Sequence, residues 1–144
     1  MDKTTRVFCR RPRRKLMLRK GCFEMEIDIY TPGKEGYEVK HSFDGWRVAY
    51  LRYAERFDNV TYLERHLETD EIFVLIKGSA VLISGENAEL IQMEPGNIYN
   101  VRKGSWHNIK VSKDALVLVV ENADTGKENS EYISINTAHT LSLE

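Results

Sequence analysis

A chain of 144 residues that is 42% hydrophobic, 10% aromatic and 30% charged carries one domain's worth of core and needs neither disulfides nor a structural metal to bury it. That balance excludes wholesale disorder, collagen-like repetition and a disulfide scaffold. A net charge of -1 makes no overall case for nucleic acid or an anionic membrane, and the two cysteines, Cys9 and Cys22, fit a reduced cytoplasmic setting.

The average hides an asymmetry. Residues 1–24 carry nine basic side chains against Asp2 and Glu24, which leaves 12 basic and 20 acidic residues, a net of -8, for residues 25–144. The chain therefore reads as a basic arm over residues 1–24 and a single acidic domain over residues 25–144. The run from Arg10 to Lys20 contains no aromatic residue to stack on bases, so a solvated tail fits it better than a nucleic-acid patch. A start codon placed too early, with Met17 or Met25 the first residue, fits equally well. No apolar stretch follows the arginines, so the arm is not a signal peptide. The longest apolar runs, Ile72–Ile76 and Ala115–Val120, fall far short of the roughly 20 residues of a membrane span.

From Glu24 the chain reads as short strands separated by turns. Glu24–Tyr30 sets Met25, Ile27 and Ile29 against Glu24, Glu26 and Asp28, the period of a half-buried strand. Pro32-Gly33 and Gly36 interrupt it. Asp44-Gly45 turns into a strand over Trp46–Tyr53, with Trp46 expected in the core. Val60–His66 places Tyr62, Glu64 and His66 on one face. Glu71–Lys77, Ala80–Ser84, Ala88–Met93, Asn97–Val101, Trp106–Val111 and Ala115–Asn122 follow, each divided from the next by Gly, Pro, Asn, Ser or Asp. Asp124–Glu131 reads as a polar loop and Tyr132–Ile135 as a last strand. Strands at this spacing predict an all-β antiparallel sandwich or barrel.

Histidine is scarce: His41, His66, His107 and His139. His66 closes one strand, with Glu64 two residues before it on the same face. Glu71 opens the next strand, and His107 starts a later one. Two imidazoles and two carboxylates inside one barrel make a reasonable nitrogen–oxygen site for Fe(II), Mn(II), Ni(II) or Zn(II). Phe73 and Leu75 share the parity of Glu71, and Tyr62 that of Glu64, so these three line the interior. Arg52, Arg56, Arg65 and Arg102 are candidates for holding a carboxylate or phosphate, with Arg65 placed outside the barrel by parity. Trp106 faces away from His107, toward a sheet or subunit surface. Cys9 and Cys22 have no histidine partner. P-loop, dinucleotide-binding, G-x-S-x-G, C-x-x-C and H-E-x-x-H patterns are missing from the sequence.

The segment ERHLETDEIFVLIKG has Glu64 and His66 two apart, then four residues, Glu71, six residues and Gly78. GNIYNVRKGSWHNIKV has Gly96, five residues, Arg102, then Gly104 and His107. Together they resemble the two motifs of the cupins, G-x5-H-x-H-x(3,4)-E-x6-G and G-x5-P-x-G-x2-H-x3-N, over about Val60–Asn122. The departures are Glu64 for the first histidine, Arg102 for the proline and Val111 for the asparagine.

The resemblance implies a double-stranded β-helix, or jelly roll, spanning about Val39–Ile135, with a metal held by Glu64, His66, Glu71 and His107. Tyr62, Phe73, Leu75, Arg52 and Arg102 would then surround a small polar or anionic molecule such as a sugar or carboxylate. Small cupins include isomerases, epimerases, dioxygenases, decarboxylases and lyases, so no reaction follows. A non-catalytic, metal-free ligand-binding or dimerisation barrel remains the alternative, since Glu64 is also placed to pair with an arginine. The apolar run of Ile72, Val74 and Ile76 faces opposite Glu71, Phe73 and Leu75. It needs cover, from a terminal strand or from the second subunit of a homodimer.

Overall fold

The structure is a computed structural model and describes residues 27–135. The chain divides into two units, Met1–Thr31 and Pro32–Glu144. In the first, Ile27–Tyr30 forms no strand, and Ile27 and Ile29 are exposed. Alternation gives a segment two faces, but a strand exists only beside a ladder partner. That part of the expected Glu24–Tyr30 strand is therefore corrected. Residues 24–26, the basic arm, both cysteines and His139 lie outside the described residues.

The described residues of the second unit form ten strands. They are β1 Tyr37–Phe43, β2 Trp46–Arg52, β3 Tyr62–His66, β4 Glu71–Lys77, β5 Ala80–Ser84, β6 Glu89–Gln92, β7 Ile98–Val101, β8 His107–Val111, β9 Leu116–Asn122 and β10 Ser130–Ser134. The only helical turns among the described residues are short 3-10 segments at Glu55–Phe57 and Lys127–Asn129. No helix among them is long and apolar enough to cross a membrane. The strands form two five-stranded sheets in the orders β1-β2-β9-β4-β7 and β10-β3-β8-β5-β6, with antiparallel pairing throughout.

β1 is the strand the sequence pattern misses. Its pairing with β2 slips between Val39 and His41, so the bulge breaks the period of two that would have revealed it. Asp44 and Gly45, both at positive φ, close the β1–β2 hairpin. Trp46 is not in the core: it is 42% exposed and packs its ring against His41 and Phe43. As the first residue of β2 it shares the outward parity of Val48 and Tyr50, which pair with Val120 and Leu118. Gly78, at φ +76°, ends β4 where a Cβ would lie 2.7 Å from the Cα of Ala115, so the chain can pass there only without a side chain.

The inner faces of the two sheets meet in one core. Leu51, Phe73, Leu75, Val117 and Val119 come from the first sheet, and Leu82, Ile109 and Val111 from the second. Along β4 the inward residues run Leu75, Phe73, Glu71, and along β9 they run Val117, Val119, Glu121. Apolar packing thus fills one end of the barrel, and both strands turn polar at the other. The outer face of the second sheet carries a smaller cluster, Val60, Leu63 and Ile83, covered in part by Ala88, Trp106, Ile133 and Ile135. Trp106 accordingly packs on the outside of its sheet, with the Arg65 guanidinium 4.5 Å over its ring. On the outer face of the first sheet Ile72 and Val74 are half-buried, while Ile76 and Ile98 are exposed.

Candidate functional site

At the polar end the two sheets bring His66 and His107, from β3 and β8, against Glu71 from β4. Glu71 Oε2 sits 3.1 Å from His66 Nε2 and 2.8 Å from His107 Nε2, and all three side chains are buried. Both imidazoles are anchored from behind. His107 Nδ1 donates to the Ser105 carbonyl at 2.9 Å, and His66 Nδ1 is 2.8 Å from Ser130 Oγ on β10. A carbonyl and a carboxylate can only accept, so His107 donates from both ring nitrogens here, Nδ1–H to Ser105 and Nε2–H to Glu71, as an imidazolium does. In the neutral ring the Ser105 bond keeps the proton on Nδ1 and leaves the Nε2 lone pair for a cation.

Charge and burial compete here. Burial raises the Glu71 pKa, but the hydrogen bonds from His107 and His66 outweigh it and hold the carboxyl below the usual range. Burial lowers the His107 pKa; its hydrogen bond to Glu71 and that carboxylate's charge win, and it ends raised. Glu64, opposite His107 in the β3–β8 pairing, is raised by burial and by the Glu71 charge, with His107 and His66 pulling the other way.

A second buried carboxylate stands beside Glu71. In the register that pairs Ile72 with Val120, the next inward positions are Glu71 and Glu121. Glu121 Oε1 accepts from Arg47 Nε at 3.2 Å, from Arg47 Nη2 at 2.9 Å and from the Tyr37 hydroxyl. Its Oε2 lies 3.9 Å from His66 Nε2. Burial, the Glu121 hydrogen bond and the Glu121 charge all push the Tyr37 hydroxyl far up. Two oxygen–nitrogen trios result, Glu64–His66–His107 and His66–Glu71–Glu121, each with its donor atoms within 4.8 Å of one another.

These groups line a cavity of about 150 Å³, together with Phe57, Phe73, Ile109 and, toward solvent, Arg56, Ser130 and Tyr132. The structure brings Glu64, His66, Glu71, His107 and Phe73 to this cavity, Phe73 packing its ring 6.1 Å from that of His107. Tyr62 does not line it; the ring stands edge-on to Tyr132 at 5.8 Å. Leu75 is buried deeper, in the apolar end. Arg52 and Arg102 also stay away from the cavity. The alternation of β2 turns Leu51 inward and Arg52 outward, where it reaches the Gly33 carbonyl at 3.3 Å. Arg102 lies exposed after β7, in the field of Asp70.

The residues sequence reading missed are Glu121, Tyr37, Arg47 and Ser130. One signal for Glu121 was present: it continues the inward series of Val117 and Val119. Tyr37 belongs to the strand hidden by its bulge. Arg47 precedes Val48 in a run whose parity alone does not distinguish an inward arginine from a surface one.

No family model matches the chain and no curated protein matches its sequence. Solved structures do match it. A cupin-2 domain protein from Shewanella frigidimarina is 15% identical, with a TM-score of 0.52 over 64% of this chain and 84% of that one. Pac13, described as a nucleoside dehydratase with a β-barrel, is 8% identical, with a TM-score of 0.54 over 74% and 92%. A Streptomyces Pac13 variant with uridine gives a TM-score of 0.55 at 9% identity, over 76% and 96%. At these identities the likeness speaks for architecture. With two antiparallel five-stranded sheets enclosing a polar-ended cavity, the chain has the cupin fold.

Proposed function

We propose that the protein binds a divalent metal ion, Fe(II), Mn(II), Ni(II) or Zn(II), and beside it a small polar or anionic molecule such as a sugar or carboxylate. The observation that carries this reading is Glu71 Oε2 held between two imidazole nitrogens whose far nitrogens are both anchored. Ligating histidines are oriented in this way, by a hydrogen bond from the other ring nitrogen. The donor set fits a borderline cation. Three carboxylates, Glu64, Glu71 and Glu121, share the cavity with two permanent cations, Arg47, bonded to Glu121, and Arg56 at the mouth. An added divalent ion would relieve the surplus negative charge, which in its absence leans on His107. His66, His107, Glu71 and Glu64 would hold the ion, Glu64 standing beside the two histidines on the same sheet.

A bound ion there would supply Lewis acidity and a water of lowered pKa. The chain's own residues do the rest. Phe57, Phe73 and Ile109 keep the inner wall dry, which strengthens every polar contact inside. Arg56, stacked 4.3 Å from the Phe57 ring, offers a cation at the mouth for an anionic group. Ser130 and Tyr132 add hydroxyls on the same side.

Elemental analysis and calorimetric titration of chelator-stripped protein reloaded with Fe(II), Mn(II), Ni(II) and Zn(II) tests the reading. Stoichiometric binding of one of them, lost in a His66→Ala, His107→Ala variant, is the expected result; no stoichiometric uptake of any of them removes it. A second reading, a metal-free ligand-binding barrel, draws on the mutual satisfaction of Glu71, His66 and His107 without any ion. It predicts ligand binding untouched by chelators.

We further propose a homodimer through the outer face of the first sheet. There the rows Val48–Val120–Ile72 and Tyr50–Leu118–Val74–Ile98 lie side by side, an apolar surface that solvent would not favour. Light scattering at micromolar protein decides it, and a clean monomer refutes it.

A further inference from the structure

We propose that Glu121 is a direct metal donor, so that the ion is gripped from both sheets by an oxygen-rich set, His66, His107, Glu71 and Glu121, with Glu64 on the remaining side. The inference rests on the metal-binding reading and names a ligand that neither the sequence motifs nor their spacing indicates.

Three observations support it. The Glu121 side chain is 3% exposed, and its two oxygens are treated differently. Among the described residues Oε1 takes the hydrogen bonds of Arg47 and Tyr37, while Oε2 accepts none and lies 3.9 Å from His66 Nε2. This is the arrangement of a monodentate ligand, one oxygen fixed by hydrogen bonds and the other presented to the ion. Second, the donor atoms of His66, Glu71 and Glu121 lie within 4.8 Å of one another, close enough to share one ion. Third, Glu71 and Glu121 occupy adjacent inward positions on neighbouring strands. Like charges side by side on a sheet are unfavourable, and a cation between them turns that juxtaposition into a site.

Glu64 lacks such support: among the described residues its carboxylate accepts no hydrogen bond, and Arg56 acts on it through its field. Glu121 is therefore the better-oriented of the two carboxylates that flank His66. A set with three carboxylates and two imidazoles favours Mn(II) or Fe(II) more than a set with a single carboxylate does, because zinc is content with four donors and the harder ions take more oxygen.

The test uses the full chain, stripped with chelator and titrated calorimetrically with Mn(II) and with Zn(II), as wild type, Glu121→Gln and Tyr37→Phe. Glu121→Gln keeps the side chain's size and removes its charge. It is expected to weaken Mn(II) binding at least tenfold and Zn(II) binding by less than threefold. Loading with Co(II) adds a spectroscopic readout: the weak visible absorption of a five- or six-coordinate ion should become the intense absorption of a four-coordinate one. Tyr37→Phe leaves the carboxylate in place but less firmly held, and should weaken Mn(II) binding by a smaller factor than Glu121→Gln. If wild-type protein takes up neither ion, the metal reading itself falls. If wild type binds Mn(II) and Glu121→Gln binds it within threefold as tightly, the assignment of Glu121 alone is overturned. Should Glu121→Gln fail to fold by circular dichroism, a crystal structure of Mn(II)-loaded wild type decides: Glu121 Oε2 on the ion upholds the proposal, and Oε2 beyond coordination distance ends it.

Discussion

Replacing Arg47 by methionine isolates the energetics of the buried carboxylate on β9. The Arg47 side chain is 18% exposed and that of Glu121 3%, and the guanidinium makes two hydrogen bonds to Oε1 and a third to the Ala123 carbonyl at 3.3 Å. Methionine matches much of the aliphatic stem but leaves Glu121 desolvated with the Tyr37 hydroxyl as its remaining partner. Breaking a buried pair on one side costs about 3–5 kcal/mol. The residual exposure of Arg47 and the surviving Tyr37 bond set the expectation at the lower end, about 3 kcal/mol. With a urea slope of about 1.5 kcal/mol/M for a domain of this size, that is a midpoint drop of roughly 2 M. Equilibrium urea unfolding followed by tryptophan fluorescence, with a chelator present to keep metals out, measures it. In an Arg47→Met, Glu121→Leu double variant the stranded charge is gone, and stability should recover to within about 1–2 kcal/mol of wild type. A loss below about 0.5 kcal/mol for Arg47→Met, or a double variant less stable than the single one, would show that Glu121 is not held as an ion pair.

Three further outcomes follow from particular contacts. Gly78→Ala puts a Cβ at positive φ against the Ala115 backbone and should cost at least about 2 kcal/mol, whereas Gly36→Ala, at φ +73° with open space around it, should cost only the conformational strain of about 1 kcal/mol; thermal unfolding separates them. Leu63→Ala, 1% exposed in the outer cluster, should cost about 2–5 kcal/mol in urea unfolding while leaving the metal affinity of the folded protein unchanged. Ser130→Ala removes the anchor of His66 Nδ1 and should weaken metal binding about 10–100-fold in calorimetry without a comparable loss of stability.

Where each feature could be seen in the sequence depended on how far its cause extends along the chain. Glu71–Lys77 and Ala80–Ser84 were legible to the residue, because each is a β-rich run closed by a turn at Gly78 or Gly85. The Glu64, His66, Glu71 cluster is also local: one strand, a short loop and the next strand, with parity supplying the direction of each side chain. His107 joins it from 36 residues beyond Glu71, and only the family-like spacing around it suggested that convergence. Parity failed where the backbone is irregular or the strand has no partner. The bulge in β1 hid a whole strand, and the alternating Ile27 and Ile29 found no ladder to join.

Local pattern gives the direction of Glu121 but not its partners, and the reason is topological. β9 lies between β2 and β4 in the first sheet, so Glu121 meets Arg47, 74 positions earlier, and Tyr37, 84 positions earlier, through pairings that no neighbouring residue announces. A glutamate ending an apolar strand looks like the point where the chain reaches solvent. Here the same parity that buries Val117 and Val119 carries Glu121 inward, past the end of the apolar packing and into the cavity. A buried acid at that position would be costly by itself. It is tolerated because the crossover places a guanidinium on one of its oxygens, and that leaves the other oxygen facing His66. The polarity of the cavity end is therefore set by strand order as much as by motif. A change in the β2–β9 register, which moves Arg47 away from Glu121, would dismantle the site without altering a single motif residue.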